Sequence, residues 1–164
     1  MSLIAIFSDL HDNLNNLDLF LTRVRAQKVT TLVFLGDLTS AETLDYLSSK
    51  WEKRIYLVGG NADFFKATDC KKHSQLIYKA DYLDFNYGNF RFLIAHKPLD
   101  LKKILTLNST YDFAFYGHTH TPWIKNENGV VIANPGNLKD GFGQATYALL
   151  DTENGHLELK RLND

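Results

Sequence analysis

Short apolar runs alternate with amphipathic stretches through the first third of the chain. Residues 3–7 read LIAIF, residues 31–35 TLVFL and residues 54–58 RIYLV. Apolar runs this short, bounded by polar residues, predict buried strands. Between the first two, Leu14, Leu17, Leu21 and Val24 recur every three or four residues. That is one face of an amphipathic helix over 13–27, with Asp12 or Asn13 as its cap. Ser40 opens a second helix carrying Ala41, Leu44 and Leu47 on one face. Strand, helix, strand, helix, strand is the order of a parallel sheet with right-handed crossovers.

The later pattern is different. YLDFNYGNFRFLIA (82–95) predicts two strands around Tyr87-Gly88-Asn89, and LDLKKILTL (99–107) predicts a helix. DFAFY (112–116) is another buried strand. Asn128-Gly129 and Asn154-Gly155 each sit between apolar runs, a strong hairpin signal. The expectation is a mixed α/β fold, parallel first and antiparallel later. Two sheets face each other with helices outside, as one domain over 1–164.

Polar residues fall at the ends of these strands. Asp9 follows LIAIF after one serine, with His11 two residues on. Asp37 follows TLVFL after Gly36, and Asn61 follows RIYLV after Gly59 and Gly60. His96 follows FRFLIA directly; His118 follows DFAFY after Gly117, and His120 comes two residues later. In open α/β sheets ligands bind beyond the carboxyl ends of the strands. Singly, Asp37 reads as a helix cap and Asn61 as a turn residue. Together they form a pattern, because four of the six histidines in the chain stand at these strand ends. His73 and His156 lie in polar contexts and read as surface residues.

Composition narrows the chemistry. Eighteen Lys and Arg against nineteen Asp and Glu give a net charge of −1, without the basic footprint of a stand-alone nucleic-acid binder. Cys70 is the single cysteine, which excludes an intramolecular disulfide and disfavours a thiolate zinc site. No apolar run approaches the roughly 20 residues of a membrane span, and the first residues lack a signal-peptide layout. The expected setting is the cytoplasm. Two carboxylates, an amide and four imidazoles exceed the needs of one ion but suit two that share a carboxylate. Imidazole with carboxylate favours Mn, Fe, Co, Ni or Zn over Ca or Mg. Two such ions about 3.5–4 Å apart clamp a phosphoryl group and generate a nucleophile from water.

The ordered series SDLHDN, GDL, GNAD, AH and GHTH resembles the calcineurin-like metallophosphoesterases. Chain length and the NPGN at 134–137 are most similar to the small YfcE-type phosphodiesterases. The resemblance implies a four-layer α-β-β-α sandwich. It implies one metal held by Asp9, His11 and His120, a second by Asn61, His96 and His118, and Asp37 bridging both. Asp37, Asn61 and His96 carry the catalytic roles, and a hydroxide bridging the two divalent ions, with Mn the leading choice, is the implied nucleophile. The implied substrate is a small phosphodiester.

One departure bears on mechanism. Many members carry His after the G-N pair, and this chain has Ala62. A protein general acid at that position is therefore missing, a contribution worth about 10²–10⁴-fold where present. Asp63 is a candidate for orienting a ligand. Asn13, Lys97 and Lys139 are candidates for substrate contact, and Phe64 and Phe65 for a substrate wall or a homo-oligomer contact. The rival function is a protein-interaction scaffold of the retromer-subunit type; further rivals are a phosphomonoesterase and a nuclease acting with a partner.

Overall fold

The computed structural model describes residues 2–107, 110–140 and 144–164. Three strands and two helices open the chain in the expected order: β1 (Leu3–Phe7), α1 (Leu14–Ala26), β2 (Thr31–Phe34), α2 (Ala41–Lys50) and β3 (Ile55–Val58). Asn13 caps α1, its side chain accepting the Asn16 N–H, and Ser40 caps α2 by accepting the Thr43 N–H. Next come α3 (Ala67–Cys70), β4 (Leu76–Lys79), β5 (Tyr82–Tyr87), β6 (Phe90–Ala95) and α4 (Pro98–Leu107). The remainder is β7 (Phe113–Tyr116), the hairpin β8 (Trp123–Glu127) and β9 (Val130–Asn134), and the hairpin β10 (Thr146–Asp151) and β11 (His156–Arg161).

The strands form two sheets, β11-β10-β1-β2-β3-β4 and β5-β6-β7-β9-β8. β1 to β4 run parallel, and β6, β7 and β9 run parallel in the second sheet. Alternation along each strand sets the layers. Ile4 and Ile6 of β1 enter the core between the sheets, where they join Phe92, Ile94 and Phe115. Ala5 and Phe7 face the other way, into a core with Leu17, Phe20 and Leu21 of α1 and Leu44 and Leu47 of α2. In the second sheet Leu93, Ala95 and Ala114 pack on Leu101, Ile104 and Leu105 of α4. The four layers α-β-β-α are those the resemblance implies.

Sequence reading assigned nothing to α3 and β4, each four residues long. β4 lies at a sheet edge with a half-buried, half-exposed alternation. So short and exposed a run gives little periodic signal. Phe65 also differs from expectation. Phe64 is 82% exposed, whereas Phe65 is 7% exposed and belongs to the helix-side core. It is not available as a contact surface.

This topology brings the carboxyl ends of β1, β2 and β3 to one rim of the sandwich, with those of β6 and β7 opposite. The turns after β1 and β2 then run side by side. Asp9 N–H donates to the Gly36 carbonyl at 3.0 Å, Leu10 and His11 N–H to the Asp37 carbonyl at 3.0 Å each, and Asp12 N–H to the Leu38 carbonyl at 3.2 Å. The Asp12 side chain spans the same seam, accepting the Ser40 hydroxyl at 2.8 Å.

Candidate metal centre

The seven residues singled out at strand ends converge on this rim. Asp9 is wholly buried, and Asp37 and His96 are nearly so. His11 and His120 are half-buried, and Asn61 and His118 are exposed. Each carboxylate has one oxygen held by a backbone N–H and the other turned toward imidazoles. Asp9 Oδ2 accepts the His118 N–H at 3.0 Å, while Oδ1 lies 3.1 Å from His120 Nε2 and 3.9 Å from His11 Nε2. Asp37 Oδ1 accepts the Ala62 N–H at 2.7 Å, while Oδ2 lies 3.4 Å from His96 Nε2 and 3.6 Å from His11 Nε2. Asn61 Oδ1 is 3.0 Å from His96 Nε2, and the His118 ring stands 5.1 Å from the His96 ring, centroid to centroid.

His96 shows what the cluster requires. Its Nδ1 is 2.7 Å from the Leu35 carbonyl, which only a protonated Nδ1 can satisfy. Nε2 is thereby left to face the oxygens of Asp37 and Asn61. Neutral His96 would bring three lone pairs together there, so the position calls for a cation, either a proton or a metal ion. His11 Nε2 adds to this, being buried with no hydrogen-bond partner among the described residues. Ligand atoms of Asp9, His11 and His120 lie within 4.8 Å of one another, as do those of Asp9, Asp37 and His96. A donor set of imidazole nitrogens and carboxylate oxygens fits divalent transition ions.

The backbone here is unusual. Asp9, His11, Asp37, His118 and His120 all have positive φ, between 48° and 64°, and Thr39 has φ 96°. Such conformations cost of order 1–3 kcal/mol each and gather at functional sites. Two glycines allow the close approach of the turns. A Cβ on Gly60 would stand 2.1 Å from Asp37 Oδ1, and one on Gly117 would stand 1.9 Å from Ser8 Oγ and 2.8 Å from Asp9 Oδ2.

Asp63 is the residue the sequence offers for orienting a ligand, whereas Asn134 and Asn137 were not foreseen in their roles. Asp63 accepts three backbone N–H groups, from Gly60 at 2.7 Å, Thr39 at 2.8 Å and Asp37 at 3.2 Å. Asn134 braces the loop of His118 and His120, donating to the Gly117 carbonyl at 2.9 Å and Thr119 Oγ1 at 3.0 Å. Asn137 reaches the His120 carbonyl at 3.4 Å. The available signal was a polar residue at each end of NPGN, directly after the apolar run 130–133. Asn13 serves as the helix cap and ties to the Lys139 carbonyl at 3.0 Å. His73 pairs with Asp45 at 2.7 Å, apart from the cluster, and His156 is exposed on β11. The Cys70 thiol is pushed up to about 12 by burial and by the charges of Asp69 and Asp63, which leaves it an inert core group.

A cavity of about 160 Å³ adjoins the cluster, lined by Asn61, His96, Lys97, Asp81 and Asp100 among others. A larger groove of about 490 Å³ lies between α4 and the β8–β9 hairpin and is lined by none of the seven residues. The smaller cavity is the one that belongs to the chemistry.

The fold that presents this rim is that of a phosphoesterase class. Residues 1–155 match the model of the calcineurin-like phosphoesterase superfamily domain, and the chain belongs to that superfamily. It is 25% identical over 154 residues to a phosphodiesterase of Methanocaldococcus jannaschii, covering 92% of this chain and 93% of the relative. A solved archaeal phosphodiesterase shares the fold with a TM-score of 0.86 at 23% identity, over 97% of this chain and 99% of that one. The YfcE phosphoesterase of E. coli does so with a TM-score of 0.71 at 20% identity, over 98% and 100%. Vps29 of Entamoeba histolytica, solved with zinc, has a TM-score of 0.66 at 19% identity, over 97% of each chain.

Two predictions follow from the geometry. Gly60→Ala forces its new Cβ against Asp37 and is expected to destabilise the protein by about 1–3 kcal/mol. A denaturant titration with an unchanged midpoint would contradict the close approach. The second concerns pH in the metal-free protein. Burial raises the Asp37 carboxyl, but the His96 hydrogen bond, the Ala62 N–H and the charges of His96 and His11 outweigh it and hold the group below its usual value. Burial lowers the His96 imidazole, but the hydrogen bond and charge of Asp37 and the Leu35 carbonyl raise it above its usual value. The Asp37 contribution is therefore lost as pH falls through its lowered pKa. The His96 contribution is lost as pH rises through its raised one. Metal uptake, which needs neutral His96, competes with that proton. Apparent Mn²⁺ affinity should keep climbing with pH beyond about 7.5, where an ordinary imidazole of pKa about 6.5 has finished nearly all of its titration. Calorimetric titrations at several pH values check this; an affinity already flat at that pH would contradict it.

Proposed function

We propose that this chain is a single metallophosphoesterase domain over 1–164 that hydrolyses small phosphodiesters with two divalent transition-metal ions. The observation that carries the reading is the shared pattern at Asp9 and Asp37. Each has one oxygen tied to the backbone and the other turned toward imidazole Nε2 atoms. Asp9, His11 and His120 would hold one ion, and Asn61, His96 and His118 the other. Asp37, facing both His11 and His96, would bridge them. When bound, such ions polarise a phosphoryl oxygen and lower the pKa of water toward about 7. The chain supplies the rest: fixed donors, a neutral His96 tautomer set by the Leu35 carbonyl, and a polar cavity beside Asn61 for one ester arm.

Ala62 offers only its backbone N–H, which is committed to Asp37. No side chain at that position can give a proton to the departing alkoxide. Esters whose leaving group needs no proton are therefore favoured. An aryl phosphodiester should be hydrolysed faster than a simple alkyl diester by well over the about 10²-fold that a general acid could otherwise offset. Equal kcat values for the two would contradict this reading.

The alternative is the scaffold reading, favoured by the fold shared with Vps29. The Entamoeba protein is solved in complex with zinc, so metal binding alone does not separate the two readings; hydrolysis does. Asp37→Asn keeps an oxygen for the Ala62 N–H but removes the bridging charge. It is expected to lose bound metal and at least about 100-fold in hydrolysis of an aryl phosphodiester. Metal analysis and rates both at wild-type level would sink the assignment, as would a fully metal-loaded wild-type protein inert toward every phosphoester offered.

A further inference from the structure

We propose that Asp63 is a positioning residue for the second ion: it latches the turn after β2 to the turn after β3 and so fixes Asp37 relative to Asn61. The proposal rests on the two-ion reading above. Asp63 is not among the seven converging donors. Its carboxylate accepts backbone N–H groups from two loops, Thr39 on Oδ1 and both Gly60 and Asp37 on Oδ2. The latch is reciprocal, because the Asp37 side chain accepts the N–H of Ala62, the neighbour of Asp63. Residues 37–39 and 60–63 are thus tied by three hydrogen bonds, one to the Asp37 side chain and two to Asp63, while the Gly60 N–H holds the Asp63 carboxylate within its own turn.

The β2 turn needs such a tie. Asp37 and Thr39 both sit at positive φ, 60° and 96°. For β-branched Thr39 this is a marked outlier, held only where the surroundings enforce it. Amides in turns of this kind form concave donor sites for an anion, and Asp63 is the anion supplied by the chain itself. A carboxylate is suited to the place because both of its oxygens accept and neither donates. An asparagine there would satisfy one side and set its NH₂ against the N–H donors of the other.

The test is Asp63→Asn, titrated as metal-free protein with Mn²⁺. The expected result is a second equivalent weakened by about 10–100-fold, with less effect on the first. Hydrolysis of an aryl phosphodiester at limiting Mn²⁺ should fall, and saturating Mn²⁺ should restore it with KM for the diester unchanged. Because bound metal also stabilises the folded state, the fold of the metal-free variant is checked first by circular dichroism, so that rescue reads positioning rather than refolding. Two equivalents at wild-type affinity overturn the proposal, as does a folded variant whose lost activity Mn²⁺ does not restore. Amide hydrogen exchange on the metal-free wild type provides a test that needs no variant. The N–H groups of Asp37, Thr39 and Gly60 should be protected, and exchange at open-loop rates overturns the latch. Wild-type protein that takes up a single ion overturns the two-ion reading and this proposal with it. Two ions in the wild type beside an unaffected variant overturn this proposal alone.

Discussion

The carbonyl of Asp37 accepts the N–H groups of both Leu10 and His11, and this contact fixes the turn after β1 against the turn after β2. Asp9, His11 and Asp37 all belong to these two turns, and all three sit at positive φ. The parallel pairing of β1 with β2 sets the turns level, with Phe7 opposite Phe34. Behind them the rings of Phe7 and Phe34 stack at 4.3 Å, with Phe20 of α1 against Phe7 at 4.5 Å. The strain at the rim is borne by a well-packed core immediately beneath it. The second sheet then brings His96, His118 and His120 up to the same place, and Asn134 holds the last two through the Gly117 carbonyl and Thr119.

Much of this was readable from the chain because the positions of the donors follow strand ends. A carboxylate, amide or imidazole just after a buried apolar run has to find a partner, and five such runs carried one. The two-sheet sandwich was readable for a related reason: runs apolar at both parities predict strands covered on both faces, as β1 and β6 are. What could not be read depends on long-range backbone geometry. Nothing local to GNAD shows that the Asp63 carboxylate will meet amides from residues 37 and 39, because those amides point its way only once the β2 turn is left-handed. Phe64 and Phe65 are indistinguishable as sequence, yet only Phe65 is drawn into the core. β4 escaped notice because four residues at a sheet edge carry too little pattern.

The electrostatics and the fold make the same demand. Two buried carboxylates and several imidazole nitrogens facing each other are stable only with positive charge among them. In metal-free protein the hydrogen bond and charge between Asp37 and His96 hold the carboxyl below and the imidazole above their usual values, so Asp37 favours a proton on His96. Divalent ions would replace that proton and satisfy the remaining donors, including His11 Nε2, which has no hydrogen-bond partner among the described residues. The same frame is shared by an archaeal phosphodiesterase, by the YfcE phosphoesterase and by Vps29, so function is decided by the chemistry of the rim rather than by the sandwich that presents it.

The central claim is that the rim binds two ions and that these make the chain a phosphodiesterase. Titrating metal-free wild-type protein with Mn²⁺, while following bound metal and hydrolysis of an aryl phosphodiester in the same samples, tests it most directly. The account predicts two bound ions per chain, with hydrolysis appearing as the second is taken up. Saturation at one ion, or full occupancy without hydrolysis, would contradict it.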